Sequence, residues 1–244
     1  IKFESDTQEL VIYGYGSDGM VGTSKDLLNV VGSLDDRYVQ GYFSYDSKKS
    51  GGVTVSNLRF DTKVIDAPYF CTRPSVMVVT KDIYLSKYNI LDVIEENGTL
   101  IINTNGTYDD IVVNDFNTKC IKDKNVKVYT IDAEGIALRN NLKGKISMIF
   151  EAILLKLLGF DNYKEILAVN IDKKFGLKGK DIVDNNIACV NEALENLVLY
   201  NGEINFDNVN VNTEDVISTI DSRLGDSLPV SKLVDYKNGS FPCG

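Results

Sequence analysis

Histidine is missing from this sequence of 244 residues. Because histidine is the commonest general base and a common metal ligand, its absence excludes a histidine-dependent mechanism for this chain by itself. Cysteines are few, and Cys71, Cys120, Cys189 and Cys243 stand singly, without a Cys-x-x-Cys pair. The sequence therefore predicts no zinc site, no iron–sulfur cluster and no other metal ligands. Scattered, unpaired cysteines are typical of reduced thiols in a cytosolic protein, so we expect a cytoplasmic location.

Positive charge and long apolar runs are also scarce. Lysine and arginine number 26 against 35 aspartates and glutamates, which gives a net charge of -9. This acidity argues against nucleic acid as a partner, because binding a phosphate backbone requires a basic face. The longest apolar run, 146–158, is interrupted by Glu151 and Lys156, so no segment is predicted to cross a membrane.

Short apolar runs typical of strands alternate with stretches of helical periodicity. The strand-like runs cover residues 10–13, 38–45, 53–60, 76–80, 100–103 and 126–131, and the helical stretches between them cover 22–31, 82–96 and 133–141. This alternation predicts an α/β fold, with a mainly parallel, Rossmann-like sheet and helices on both faces. Ligands in such sheets bind beyond the carboxyl ends of the strands.

The second half of the chain is predicted to be helical. Residues 145–158 are apolar nearly all round, which indicates burial either in the core or against another domain. Residues 178–197 read as a further helix, and a short helix is possible at 215–222 within an irregular tail rich in Asn and Asp. We therefore predict an α/β domain over residues 1–197 and a linker-like tail over 198–244.

A glycine-rich turn follows the first strand-like run, where residues 13–22 read YGYGSDGMVG. Glycines leave backbone N–H groups open to a ligand, and a helix that starts here favours an anion at its N-terminus. Ser17, Gly19 and Gly22 are the candidate ligand contacts of this turn. Asp18 would repel an anion unless its carboxylate caps the helix instead.

A second candidate segment is the string YDSKKSGG at residues 45–52. Lys48 and Lys49 provide two positive charges, Ser50 a hydroxyl donor, and Gly51 and Gly52 an unobstructed backbone. A solvated charged turn is the ordinary alternative for two such lysines. Together with the glycine-rich turn, this segment predicts a ligand that carries several phosphates.

The glycine-rich turn also matches the dinucleotide pattern Gly14-x-Gly16-x-x-Gly19, which keeps a nicotinamide cofactor as an alternative. However, the acidic residue of that pattern ends the second strand, whereas Asp35 here precedes it. No Gly-Lys-Ser/Thr follows the turn, so it is not a P-loop.

The strings at residues 14–22 and 40–60 closely resemble the gamma domain of pyruvate:ferredoxin oxidoreductase. The resemblance continues through residues 86–88, 131–133, 145–149, 174–179, 228–231 and 239–242, so it covers most of the chain. Enzymes of that family decarboxylate pyruvate on thiamine diphosphate, pass electrons through iron–sulfur clusters to ferredoxin or flavodoxin, and transfer the acetyl group to coenzyme A. The resemblance, together with a first residue, Ile1, that is not methionine, implies a domain of a longer polypeptide.

By this resemblance, the chain binds coenzyme A and carries no catalytic residue. It implies that Lys48, Lys49 and Ser50 hold the phosphates beside the backbone of Gly51 and Gly52. Ser17, Gly19 and Gly22 would line the opposite wall. Thiamine diphosphate, magnesium and the iron–sulfur clusters would belong to other domains of a homo-oligomeric parent, which are also the expected partners of this chain.

The sequence leaves three points open. A nicotinamide-dependent oxidoreductase domain and a purely structural interdomain module are the alternative functions. Arg59 is expected either to pair with Asp18 or to face a neighbouring domain. Tyr42 and Tyr45 are expected on one face of a strand, where core packing is favoured over stacking on adenine.

Overall fold

The structure, a computed structural model, describes residues 7–34, 36–45, 52–106, 110–200, 215–221 and 228–236. Four of the predicted ligand contacts, Lys48, Lys49, Ser50 and Gly51, lie outside the described residues. The other four, Ser17, Gly19, Gly22 and Gly52, are described.

The strands lie close to the predicted apolar runs. They are β1 (Gln8–Tyr15), β2 (Tyr38–Tyr45), β3 (Val53–Asp61), β4 (Val76–Val79), β5 (Thr99–Asn103), β6 (Lys127–Ile131) and β7 (Val198–Leu199). They form one sheet in the order β2-β3-β1-β4-β5-β6-β7. β1, β4, β5 and β6 are parallel neighbours, while β3 and β7 run antiparallel to the strands beside them. The predicted α/β class with a mainly parallel sheet is confirmed.

The α-helices occupy most of the intervening segments. They are α1 (Met20–Gly32), α2 (Tyr84–Lys87), α3 (Asp115–Asp123), α4 (Ala133–Arg139), α5 (Ser147–Leu157), α6 (Tyr163–Phe175), α7 (Lys180–Ala193) and α8 (Val216–Asp221). Short 3-10 helices follow at Gly176–Lys178 and Val230–Tyr236. None of the described helices is long and apolar enough to span a bilayer.

The sheet separates two hydrophobic cores. Leu10 and Ile12 of β1 point into a core built with α1, α4, α5, α6 and α7, which we call the α1 face. Val11 and Tyr13 point into a second core with α2 and α3, which we call the α2 face. Side chains alternate between the faces because successive residues of a strand point in opposite directions. Helices therefore cover both faces, as predicted.

Helix α5 is buried in the core rather than held for a partner domain. Its residues from Met148 to Leu155 are all buried, and α5 packs against α1, α6 and α7. This settles the open choice for the predicted helix 145–158 in favour of the core. Even Glu151 is fully buried on this helix.

The predicted helix at residues 82–96 is wrong, because only Tyr84–Lys87 are α-helical. Asn117 replaces the hydrogen bonds that a continuing helix would make. Its Oδ1 accepts from the N–H groups of Ile90 and Leu91 at 3.0 and 3.1 Å, and its Nδ2 donates to the carbonyl of Tyr88 at 2.6 Å. The apolar residues of this segment therefore reach the α2-face core without a helix.

The boundary at residue 197 stays a prediction. Val198–Leu199 form the short strand β7, which pairs with Tyr129 and Thr130 of β6, so the sheet continues just past that position. The short helix expected at 215–222 is confirmed as α8.

Candidate functional site

The glycine-rich turn connects the end of β1 to the start of α1. Ser17 and Gly19 both adopt positive φ angles of 86°, which turn the chain sharply between Tyr15 and Met20. Gly14 is required by close packing, because an added Cβ would lie 2.7 Å from Oγ1 of Thr54. The turn is thus a fixed feature at the carboxyl end of β1, where α/β sheets bind ligands.

The carboxylate of Asp18 stabilises this turn through hydrogen bonds. Its Oδ1 accepts from the first N–H of α1, that of Met20, at 2.8 Å. Its Oδ2 accepts from the N–H of Tyr15 and from the hydroxyl of Thr80, each at 2.7 Å. The predicted capping role of Asp18 is therefore confirmed, and Asp18 also ties the end of β1 to the residue after β4.

The next donors of α1 stay available to a ligand. The N–H groups of Val21 and Gly22 meet no acceptor within the described part of the chain. Gly19 and Gly22 are exposed, and a Cβ added to either would meet nothing within 4 Å. Exposed glycines beside N–H groups that have no acceptor among the described residues fit a site for a phosphate oxygen.

Gly52, the last residue of the second candidate segment, lies directly beside the turn. The N–H of Gly16 donates to the carbonyl of the buried Gly52 at 2.8 Å. Tyr45, the first residue of the segment, is exposed, and the strands before and after the segment, β2 and β3, are antiparallel neighbours. Gly52 therefore lies against the turn that contains Ser17, Gly19 and Gly22, and β2 ends and β3 begins at this edge of the sheet.

A polar network beside the turn gave no signal of its own in the sequence. Asn103 Nδ2 donates to Glu134 Oε2 at 2.6 Å and to the carbonyl of Thr80 at 3.2 Å, while Lys81 Nζ lies 3.2 Å from Glu134 Oε1. Position could have indicated it, because these residues end or directly follow β4, β5 and β6. The carboxyl ends of parallel strands meet at one edge, so such residues become neighbours.

Aromatic side chains lie next to the turn on the α2 face. The hydroxyl of Tyr84 donates to the carbonyl of Gly14 at 3.4 Å, and its ring lies 5.7 Å from that of Tyr88. Burial, reinforced by the charge of Asp18, raises the pKa of Tyr84 to about 12. Tyr84 is therefore a neutral donor that supports the end of β1.

Arg59 lies away from the turn, and neither expectation for it holds. It is 2% exposed and pairs with Glu9, with its Nε 2.7 Å from Glu9 Oε1. Its remaining donors bind the carbonyls of Tyr69 and Phe70 at 2.7 Å each. Arg59 therefore holds the loop between β3 and β4.

The described residues show no arrangement suited to a metal or to a nucleophilic thiol. They contain no group of at least three acidic or cysteine side chains that could hold an ion. Burial raises the pKa of Cys71 to about 12 and that of Cys189 to about 11, so both remain protonated thiols. A cleft of about 510 Å³ is lined by Thr72, Arg73 and Lys124, among others, but it lies where β4 and β5 begin, at the edge opposite the turn.

Several curated proteins are similar to this chain over nearly its whole length. A pyruvate-flavodoxin oxidoreductase from Enterobacter agglomerans is 31% identical over 258 residues, which cover 98% of this chain and 22% of the relative. The chain thus spans between a tenth and about a fifth of the length of such relatives.

Solved structures share its fold. Subunit PORC of the pyruvate oxidoreductase of Thermotoga maritima superimposes with a TM-score of 0.63 at 21% identity, covering 80% of this chain and 99% of that chain. A 2-oxoglutarate:ferredoxin oxidoreductase from Magnetococcus marinus, with 2-oxoglutarate, coenzyme A and succinyl-CoA bound, gives a TM-score of 0.61 at 15% identity, covering 79% and 31%. The family profile described as pyruvate ferredoxin/flavodoxin oxidoreductase matches residues 9–196, which include the turn, the strands around it and both cores. This protein chain therefore belongs to the pyruvate ferredoxin/flavodoxin oxidoreductase family.

Proposed function

We propose that this chain is the coenzyme A-binding, gamma-type domain of a pyruvate:ferredoxin or pyruvate:flavodoxin oxidoreductase. The hydrogen bond between Gly16 and Gly52 is the observation that carries the proposal. It joins the glycine-rich turn to the end of the segment that contains Lys48 and Lys49, so both predicted phosphate contacts would face one ligand. Coenzyme A bound in a family neighbour from Magnetococcus marinus supports the choice of this ligand.

The two lysines would offset an acidic environment. Asp18 already accepts from the Met20 N–H, so it removes one donor from the turn and adds a negative charge. Asp82 and Glu134 lie on the other side of the turn, with Lys81 as their basic neighbour. Phosphates would therefore be drawn toward Lys48 and Lys49 and away from the ends of β4 and β5.

This chain would bind coenzyme A, the carrier of the acyl group, and orient it. The N–H groups of Val21 and Gly22, with Ser17 and Ser50, would provide hydrogen bonds to phosphate, and the lysines would provide charge. Holding the carrier at this end leaves its thiol free to reach an acyl group elsewhere in the polypeptide, which is catalysis by proximity. Thiamine diphosphate and iron–sulfur clusters would be held by other domains, which would also exchange electrons with ferredoxin or flavodoxin.

The double substitution Lys48→Ala/Lys49→Ala tests the proposal in the full-length protein. A charged contact contributes on the order of 1.5 to 3 kcal/mol, so we expect the apparent KM for coenzyme A to rise by at least roughly tenfold. Pyruvate decarboxylation in the absence of coenzyme A should change little, because that step precedes the arrival of the thiol. Steady-state kinetics at varied coenzyme A measures the first effect, and release of CO2 measures the second.

Lys164→Ala/Lys173→Ala is the matched control, since both lysines are exposed on α6 and the loss of charge is the same. This control should leave the KM for coenzyme A within twofold. If the Lys48/Lys49 variant keeps its KM and loses only assembly or stability, the segment is an interdomain contact and the proposal fails. Binding of NADH in place of coenzyme A would instead favour the nicotinamide alternative.

A second expected result concerns the chain by itself. We expect no pyruvate-dependent reduction of ferredoxin or viologen dyes by the 244-residue chain, even with thiamine diphosphate, magnesium and coenzyme A added. The chain has no histidine and no clustered cysteines, so it lacks the groups that would hold an electron-transfer cluster. Dye reduction followed by absorbance measures this, and turnover above the enzyme-free rate would contradict it.

A further inference from the structure

Tyr15 is an aromatic side chain fixed at the rim of the turn. It is the last residue of β1, pairs with Val53 of β3, and is 38% exposed. Its backbone N–H is held by Asp18 Oδ2 at 2.7 Å. The backbone of Tyr15 is thus held from two sides while part of its ring remains open to solvent.

Other tyrosines lie on the same face of the sheet as Tyr15. Tyr84 is 5% exposed and is anchored through its hydroxyl to the carbonyl of Gly14, next to Tyr15. The ring of Tyr88 meets that of Tyr84 at an angle of 51°. Alternation along β1 directs Tyr15 to the α2 face, where Tyr84 and Tyr88 also lie, and Tyr15 is the most exposed of the three tyrosines.

We propose that Tyr15 is the stacking platform for the adenine ring of the bound nucleotide. This inference rests on the proposed function, because it takes the phosphates to lie at the turn and at the segment that ends at Gly52. Gly16 follows Tyr15 directly and contacts Gly52, so a base joined to those phosphates through its ribose comes within reach of the Tyr15 ring. Every nucleobase has a π-face, and stacking on a tyrosine held in place costs little conformational entropy.

Tyr42 and Tyr45, the tyrosines considered from the sequence, are less suited to this role. Their spacing of three residues puts them on opposite faces of β2, contrary to the expectation of a shared face. Tyr42 packs edge-on against Phe70, with ring centroids 6.2 Å apart, in the middle of the strand. Tyr45 is 57% exposed but points to the α1 face, because its partner Thr54 alternates with Val53, the partner of Tyr15.

Adenine belongs to the nucleotide end of coenzyme A, and the pantetheine arm separates it from the thiol. A contact with adenine should therefore affect affinity for the nucleotide end alone, independently of the thiol.

The test compares coenzyme A with 4′-phosphopantetheine, which lacks the adenosine together with its 3′-phosphate and one phosphate of the diphosphate, in the full-length protein. Stacking on an aromatic side chain changes affinity by about five- to a hundredfold when the ring is removed. Tyr15→Ala should therefore weaken binding of coenzyme A by at least fivefold in calorimetric titration and leave the Kd for 4′-phosphopantetheine within twofold. Tyr15→Phe should bind coenzyme A like the unmodified protein, whereas Tyr15→Leu, which keeps bulk but has no π-face, should resemble Tyr15→Ala.

Tyr45→Ala is the matched comparison, because Tyr45 is also exposed beside the same segment but on the other face. If Tyr45→Ala no longer binds coenzyme A more tightly than 4′-phosphopantetheine, and Tyr15→Ala still does, the assignment is overturned. Equal losses for both ligands in Tyr15→Ala would overturn it too, since they would indicate damage to the turn. If the unmodified protein binds neither ligand, the proposed function fails and this inference fails with it, whereas intact binding with no effect at Tyr15 rejects the stacking role alone.

Discussion

Replacing Glu151 by glutamine is expected to stabilise the protein by several kcal/mol at alkaline pH and to have little effect at pH 4. Glu151 lies on α5 with no exposed surface, and its Oε1 has no hydrogen-bond partner among the described residues. Lys174 of α6 is 3.6 Å away, but Lys174 also pairs with Asp26 of α1, and Asn170 approaches Oε2 at 3.4 Å. Burial is the dominant effect and raises the pKa of Glu151 from 4.5 to about 8.

The direction of the pH effect follows from this raised pKa. The folded state binds the proton of Glu151 more tightly than the unfolded state does, so protonation of Glu151 stabilises the fold. This contribution to the free energy of unfolding is complete below about pH 4.5. It is lost as the pH rises to about 8, at about 1.4 kcal/mol per pH unit and roughly 5 kcal/mol in total. Glutamine cannot ionise, so Glu151→Gln should lack this loss.

Urea unfolding between pH 4 and 9 measures the effect as a difference in the free energy of unfolding between the variant and the unmodified protein. Glu165→Gln is the control, because Glu165 is an exposed residue of α6. Its free energy of unfolding should follow that of the unmodified protein at every pH. A constant difference for Glu151→Gln across the range would show that the pKa of Glu151 is the same in the folded and unfolded states, which would contradict the prediction.

Arg59→Met is expected to destabilise the protein by about 3 to 5 kcal/mol, because it leaves the partner of a buried ion pair without its counterion. The substitution also removes the hydrogen-bond donor of Gln40 Oε1 and of the carbonyls of Tyr69 and Phe70, which Arg59 binds at 2.7 to 3.0 Å. Glu9 would keep the N–H groups of Thr72 and Arg73 on its other oxygen. For a chain of this size, such a loss lowers Tm by roughly 10 °C, which thermal unfolding followed by circular dichroism can measure.

Arg73→Met provides a matched comparison for Arg59→Met. The pair between Arg73 and Glu95 has the same 2.7 Å separation, but its side chains are 57% and 37% exposed. Exposed pairs contribute about 0 to 1 kcal/mol, so the Arg73 variant should lose at most a few degrees in Tm. Equal losses for the two variants would show that burial does not set the cost of breaking these ion pairs.

Much of the fold could be predicted because its signals are local. The strand-like run of β2 was predicted with the same bounds, 38–45, that the structure shows. Helix α3 gave no such signal, because two of its three buried residues, Asn117 and Thr118, are polar. Helix α6 could have been predicted, since Tyr163, Leu167 and Ile171 recur every four residues and are all buried.

The parts that could not be predicted depend on contacts between residues far apart in sequence. Asn117 prevents the predicted helix at 82–96 by binding the backbone of Ile90 and Leu91, and nothing within 82–96 itself indicates this. Arg59 pairs with a glutamate fifty residues earlier, which the antiparallel register of β1 and β3 brings opposite it. In the site, the turn was evident from its glycines, whereas Asn103 and Glu134 meet only through the alignment of β5 with β6 and α4.

The strand order has a consequence for how this domain is made. β1 is the first strand of the domain to leave the ribosome, yet its two neighbours are β3 and β4, which follow roughly 40 and 60 residues later. At synthesis rates of about 5 to 20 residues per second, its apolar segment waits several seconds before both neighbours exist. The β2–β3 hairpin can close first, since its strands are adjacent in sequence. Until β3 and β4 have both been made, β1 has two open edges. The nascent chain is therefore expected to bind a chaperone that shields extended apolar segments.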